Sequence, residues 1–308
     1  MNIACIDIGS NSLHIIVYKL RKGDISVLAR YDKTLRLGSN ENQTQKKNGM
    51  YIKNSAVRKI VKMVKDFKII ADLFEAEIRA IATSAMREAV NGKDIVKMIG
   101  KETGITVDII SSEQEGHFAY IGAVYSLELA RKDVTVIDIG GGSIQMARGV
   151  AGMLSVSTGF PLGVVRMSER FFADGYTEQK VSELKEYITE LLTPFIEKYQ
   201  GSMVVGVSGT FKNLARITNE LPLKSAQNGL IISRKSLETL KNEFPAMVLE
   251  NTLPRGLNPT RKDTIYAGII IVDTLFELLH VKEMTVATFG VKAGAVIDFK
   301  NKKPFEKK

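Results

Sequence analysis

Hydrophobic and polar positions along this chain keep two periods, and the order in which the periods alternate occurs twice. Residues 2–8 are almost continuously apolar, and 12–20 and 25–37 follow as extended stretches behind Gly9-Ser10-Asn11 and Lys22-Gly23-Asp24. Short apolar runs bounded by such turn residues predict three strands. Residues 39–50 are polar and rich in Asn, Gln and Lys, which predicts a mobile loop. From Asn54 the period lengthens. Val57, Ile60, Val61, Val64 and Ala71 recur at helical spacing with lysines between them. Strands are predicted over 77–83 and 104–110, and a helix opens at Ser111-Ser112 and runs to about 129. The theme then restarts, with strands over 133–139, 144–150 and 153–158, helices over 163–173 and 177–199, and a strand over 203–207. Gly206-Val207-Ser208-Gly209-Thr210 opens the next helix, with Thr210 as its N-cap. A loop over 254–263, a long apolar helix to about 279, a strand over 283–288 and a short helix from 291 complete the reading.

Three strands, a helix, a strand and a helix, met twice, predict a duplicated α/β fold with halves 1–120 and 121–308. No low-complexity linker separates the halves, so a shared cleft is expected. Each half carries the same turn. Ile3-Ala4-Cys5-Ile6-Asp7-Ile8-Gly9-Ser10-Asn11-Ser12 is matched by Val134-Thr135-Val136-Ile137-Asp138-Ile139-Gly140-Gly141-Gly142-Ser143, with Asp138 falling 131 positions after Asp7 (138 − 7). Such a unit delivers a carboxylate at the end of a buried strand. Its glycines then let backbone N–H groups approach an oxyanion. Two copies face to face make a phosphate clamp with an acid on each side, the arrangement of an actin-like cleft.

Composition narrows the partners. The 308 residues carry a net charge of +9, which favours an anionic ligand. With no Trp and no helix-turn-helix or RNA-binding signature, no specific nucleic acid is expected. The segment 300–308 is read as a solvated basic tail. The longest apolar runs fall short of a membrane span, and Met1 leads straight into a strand without a signal-peptide pattern. Cys5 excludes an intramolecular disulfide and is expected to be a buried core thiol. His14, His117 and His280 show no metal-ligand spacing and are read as packing or surface residues. A cytoplasmic setting is expected.

Six elements in order resemble the exopolyphosphatase / guanosine pentaphosphate phosphatase (Ppx/GppA) family of the actin-like ATPase superfamily, in its short form. They are the Asp7–Ser12 turn, Ala82-Thr83-Ser84-Ala85-Met86-Arg87-Glu88-Ala89, Ser111 to Gly116, Asp138 to Ser143, Ser208-Gly209-Thr210, and Asn258-Pro259-Thr260-Arg261-Lys262-Asp263. The resemblance implies two actin-like (ribonuclease H-like) domains around a cleft. It also implies metal-assisted hydrolysis of a terminal phosphoanhydride of polyphosphate or guanosine pentaphosphate, with Mg2+ as cofactor. It places the base on Glu115, and metal and water positioning on Asp138 and position 145; magnesium's preference for a few carboxylates plus waters and phosphate oxygens suits a site with Asp7 and Asp138. Phosphate contacts fall to Gly9, Ser10, Asn11, Ser12, Arg87, Gly140, Gly141, Gly142, Ser143, Ser208, Gly209 and Thr210. The expected partner is polyphosphate or a guanosine polyphosphate, with no membrane, and a homodimer is compatible with the chain.

Plainer readings stand beside these. Ser112 and Glu115 have capping-box spacing, Glu113 reads as a surface residue, and Arg87 could pair with Glu88 or Glu113. Asp7 and Asp138 could cap turns. Two departures from the family pattern bear on turnover. Ile144-Gln145 stands where the family has Thr-Glu, and Gly290-Val291-Lys292-Ala293-Gly294 where it has Gly-x-Arg-Glu-Gly. Gln145 has the shape of Glu without its charge. Slow hydrolysis is therefore expected, and the rival reading is a catalytically weak or inactive member that binds phosphate polymers as sensor or scaffold. A kinase or ATPase is disfavoured, because Ser208-Gly209-Thr210 lacks a longer glycine-rich adenosine loop.

Overall fold

The computed structural model describes residues 1–21 and 24–302. The turn predicted at Lys22-Gly23 and the tail beyond residue 302 lie outside the described residues. Three antiparallel strands open the chain: β1 (Asn2–Ile8), β2 (Ser12–Arg21) and β3 (Asp24–Thr34). A small hairpin of β4 (Gln43–Lys46) and β5 (Gly49–Ile52) follows, where the polar composition predicts only a loop. Its fixity comes from tertiary contacts that a polarity pattern does not encode. Ile52 is buried, its backbone N–H and C=O are both bonded by the Asn91 side chain, and Val90 donates to Met50.

Helix α1 (Asn54–Leu73) then carries the chain back so that β6 (Glu77–Ala82) pairs parallel to β1, a connection that requires a crossover element. Two helices not anticipated in the sequence, α2 (Ser84–Glu88) and α3 (Gly92–Thr103), lead to the edge strand β7 (Val107–Ile109). Helix α4 (Ser112–Ser126) leaves this sheet.

The second sheet repeats the plan. Strands β8 (Asp133–Ile139), β9 (Ile144–Val150) and β10 (Met153–Phe160) are antiparallel. After α5 (Val164–Phe171) and α6 (Glu178–Ile196), β11 (Met203–Val207) pairs parallel to β8. Next come α7 (Ser208–Thr218), an unanticipated β12 (Ile231–Ser233) and α8 (Arg234–Leu249), then α9 (Ile265–Leu278), β13 (Glu283–Val286) and α10 (Val291–Lys302). The orders β3-β2-β1-β6-β7 and β10-β9-β8-β11-β13-β12 are the same five-strand pattern, with β12 added at one edge.

Three apolar clusters stack these parts into layers. One joins the first sheet to α1 and α3, and another joins the second sheet to its outer helices. Between the sheets, α4 and α10 share a third with Ile3, Cys5, Val134 and Val205. Residue 120 thus lies inside a helix of the middle layer, and α10, late in the second half, packs on β1 of the first. Backbone approaches there are very close. A Cβ on Gly122 would lie 2.3 Å from the Gly290 oxygen, and one on Gly294 only 1.8 Å from that of Phe118.

Candidate active site

The two carboxylates arrive by identical register. Asp7 sits opposite His14 across β1–β2, and Asp138 opposite Gln145 across β8–β9. Each following glycine closes the same short turn, Gly9 N–H to Ser12 O at 3.1 Å and Gly140 N–H to Ser143 O at 2.9 Å. The turns meet from the two sheets. A Cβ on Gly142 would lie 2.4 Å from Ser84 Oγ, and one on Gly141 3.1 Å from the Asn11 backbone nitrogen. Only glycine allows that approach. The Ser208-Gly209 junction converges on the same place, with Ser208 held at φ 81°, a conformation costly for a residue with a Cβ. Together the three segments line one cavity of about 270 Å3.

Glu115 faces this cavity from the first turn of α4 and is buried. The cap of that helix is Ser111 with Gln114, one residue earlier than the sequence spacing suggests. Glu115 is therefore free of the capping task. Its partner is Arg87, 3.1 Å away, whose guanidinium also donates to Ile110 O. Burial pushes the Glu115 carboxyl up to about 8, against the pull of Arg87 and with Asp138 and Asp7 adding to the rise. Burial likewise lifts Asp138 to about 6, while Lys292 holds it down.

Other expected site residues take different places. Gln145 is buried beside Asp138, but its Nε2 donates to Ser143 Oγ at 2.7 Å and it does not line the cavity. Thr210 is neither cap nor cavity wall. Val207 occupies the N-cap position, and the Thr210 hydroxyl donates to Ile139 O, bracing the Asp138–Gly140 turn from behind. Arg87 touches Glu115 rather than the cavity wall, and Glu88, its neighbour, pairs instead with Arg166 across the cleft. Arg166 also donates to Gly142 O at 3.0 Å. Cations that the sequence reading gave no role also line the cavity: Arg30, Lys212, Arg216, Arg261 and Lys292. His14, expected to pack or lie on the surface, lines it too, and burial with the neighbouring cations disfavours its charged form. Lys212 lies four residues after Ser208, one helical turn, which is the signal that could have found it. Burial and the neighbouring cations push its ammonium down to about 7.

The model of the Ppx/GppA phosphatase family matches residues 16–303. The chain belongs to the Ppx/GppA phosphatase family. Exopolyphosphatase 1 of Mycobacterium leprae is 25% identical over 308 residues, covering 96% of this chain and 89% of that protein. A bifunctional 3-dehydroquinate synthase/phosphatase of Fusobacterium nucleatum is also 25% identical over 96% of this chain, which spans only 46% of that protein's length. The crystal structure of the Aquifex aeolicus Ppx/GppA family member superposes with a TM-score of 0.83 at 25% identity, over 99% of each chain. An exopolyphosphatase from Cytophaga hutchinsonii shares the fold at a TM-score of 0.87, over 99% of each chain and at 23% identity. The two α/β halves are thus the two actin-like domains of a Ppx/GppA protein. Among the described residues no helix is long and apolar enough to cross a membrane.

A Ppx/GppA cleft implies a divalent metal, and the oxygens present here fit one. Asp7 Oδ1, Asn11 Oδ1 and Gln145 Oε1 are buried without a hydrogen-bond partner among the described residues. Magnesium takes one or two carboxylates and completes its shell with water and phosphate oxygens. No group of three or more His, Cys, Asp or Glu with metal-binding geometry occurs among the described residues. Among the carboxylates lining the cavity, Asp7 and Asp138 are the pair such an ion would share.

Proposed function

We propose that this phosphatase removes the terminal phosphate of inorganic polyphosphate or the 5′ phosphate of guanosine pentaphosphate, with Glu115 as the base. The observation that carries this reading is the position of Glu115, a buried carboxylate fixed by Arg87 at a cavity where two glycine turns face each other. Backbone N–H groups of Gly9–Ser12 and Gly140–Ser143 hold the terminal phosphate oxygens, and Ser208-Gly209 closes the third side. Water oxygen attacks the terminal phosphorus, the anhydride P–O bond breaks, and the shortened chain leaves with the electron pair. Glu115 takes the water proton, which a carboxyl near 8 holds well enough to act as base in the neutral range. Asp138 orients the water, and Gln145, held on Ser143 behind the cavity wall, fixes the turn beside it. Magnesium, when held by Asp7 and Asp138, supplies charge neutralisation to the phosphate oxygens. Lys212, Arg261 and Lys292 neutralise the rest of the polyanion. The reaction is slow, because Gln145 brings no charge to the metal, and its setting is cytoplasmic.

Gln145 also favours a second reading, a phosphate-polymer binder without turnover. One assay separates them: phosphate release from long-chain polyphosphate, guanosine pentaphosphate and ATP, with and without magnesium. Magnesium-stimulated release from either of the first two, and little from ATP, is expected. Binding of polyphosphate with no release from any of the three would reject the hydrolase reading in favour of the binder.

A further inference from the structure

Lys292 stands where a helix disfavours it. It is the second residue of α10, and a cation in the first turn meets the positive end of the helix dipole. No acidic residue lies in that turn to offset it. What holds Lys292 is Asp7, whose Oδ2 is 3.0 Å from Nζ. The backbone carrying it is clamped by Gly290 against Gly122 and by Gly294 against Phe118, so the ammonium is aimed into the cleft by a part that cannot slide. One oxygen of Asp7 is thus taken by a tethered charge, and only Oδ1 is left for a metal.

We propose that Lys292 is a tethered counter-ion that occupies Asp7 in the free protein, so that the cleft binds divalent metal weakly alone and takes it up together with phosphate. A metal held by Asp7 and Asp138 would meet the ammonium at close range, well inside a screening length, in a partly buried site. Phosphate oxygens arriving with the metal relieve it, and Lys292 then moves from Asp7 Oδ2 to one of them. The flexible stem and three rotatable donors of lysine allow that transfer, where the planar fork of arginine does not match it. The proposal rests on the hydrolase reading only for the identity of the phosphate compound.

Its test requires no turnover. Mn2+ is titrated into the full chain without phosphate, and the free ion is followed by electron paramagnetic resonance. Lys292→Met should bind at least tenfold more tightly than the natural protein, and the gain should vanish in Lys292→Met with Asp7→Asn. Lys292→Arg, which keeps the charge on Asp7, should bind Mn2+ alone as weakly as the natural protein but gain less from pyrophosphate. Pyrophosphate should tighten Mn2+ binding more in the natural protein than in Lys292→Met. Equal affinity of the natural protein and Lys292→Met overturns the proposal, as does a gain that survives Asp7→Asn. Should Lys292→Met not fold, the natural protein with methylated lysines answers by NMR, its Lys292 signal identified by loss in Lys292→Arg. Millimolar magnesium alone should leave that signal in place, and a shift saturating at micromolar magnesium overturns the proposal. Failure of the hydrolase reading appears instead as absent phosphate release with these affinities intact.

Discussion

At Glu115, stability and chemistry oppose each other. Its carboxyl sits near 8 in the folded protein because burial penalises the charge, and near 4.3 in an unfolded chain. The folded state therefore binds the proton more tightly. The stabilisation from that proton is fully present below about pH 4 and is lost as pH rises through 8. Glu115→Gln keeps the shape and removes the titration. Urea unfolding should show the variant gaining on the natural protein between pH 5 and 8.5, by a few kcal/mol. A difference constant over that range would show that the carboxyl is not desolvated. Phosphate release by the same variant should fall by roughly 10²–10⁴-fold, the range for a lost general base. In the natural protein, kcat/KM should climb with pH toward 8. Because the cap lies on Ser111 and Gln114, no cap is lost to confuse the result.

At the scale of elements, α4 and α10 pack backbone against backbone. Gly294→Ala gains about 1 kcal/mol of helix propensity. The new Cβ would stand 1.8 Å from a backbone oxygen, and overpacking of that kind costs about 3 kcal/mol or more. The clash wins, and chemical denaturation should show net destabilisation of about 2 kcal/mol. An unchanged midpoint would mean that α10 can lift away from α4. Strands and long helices were legible in the sequence, because their apolar periods are set by burial on the two sheets. The doubled turn was legible because Asp and Gly are required there by geometry. The β4–β5 hairpin was not, since it is held by Asn91 from another element. Nor was the role of Thr210, whose hydroxyl serves a carbonyl that only the β8–β11 pairing brings near. Glu115 was read beside a capping alternative that one residue of register removes.

For the whole molecule, the surplus of positive charge is partly gathered in the cleft, where Arg30, Lys212, Arg261 and Lys292 outflank the carboxylates. Polyphosphate affinity should therefore fall steeply with salt. By extension from single-stranded nucleic acid, four such contacts give a slope of roughly −3 in log affinity against log salt. Isothermal titration between 50 and about 200 mM salt (about the range over which screening lengths halve) would read it, and a flat response would point to an uncharged ligand. Besides the buried α4–α10 layer, the lobes meet through contacts of the exposed kind, Arg36 with Asp263 at 2.8 Å and Glu88 with Arg166, each worth at most about 1 kcal/mol. The Lys292–Asp7 contact is different in reach, since it joins residues 285 positions apart. No nascent chain shorter than 292 residues contains both partners. On the ribosome, both sheets can emerge while the acidic centre still lacks its ammonium and the middle layer its second helix. The cleft is thus finished only once α10 has emerged, and synthesis that stops short of it leaves the site in outline only.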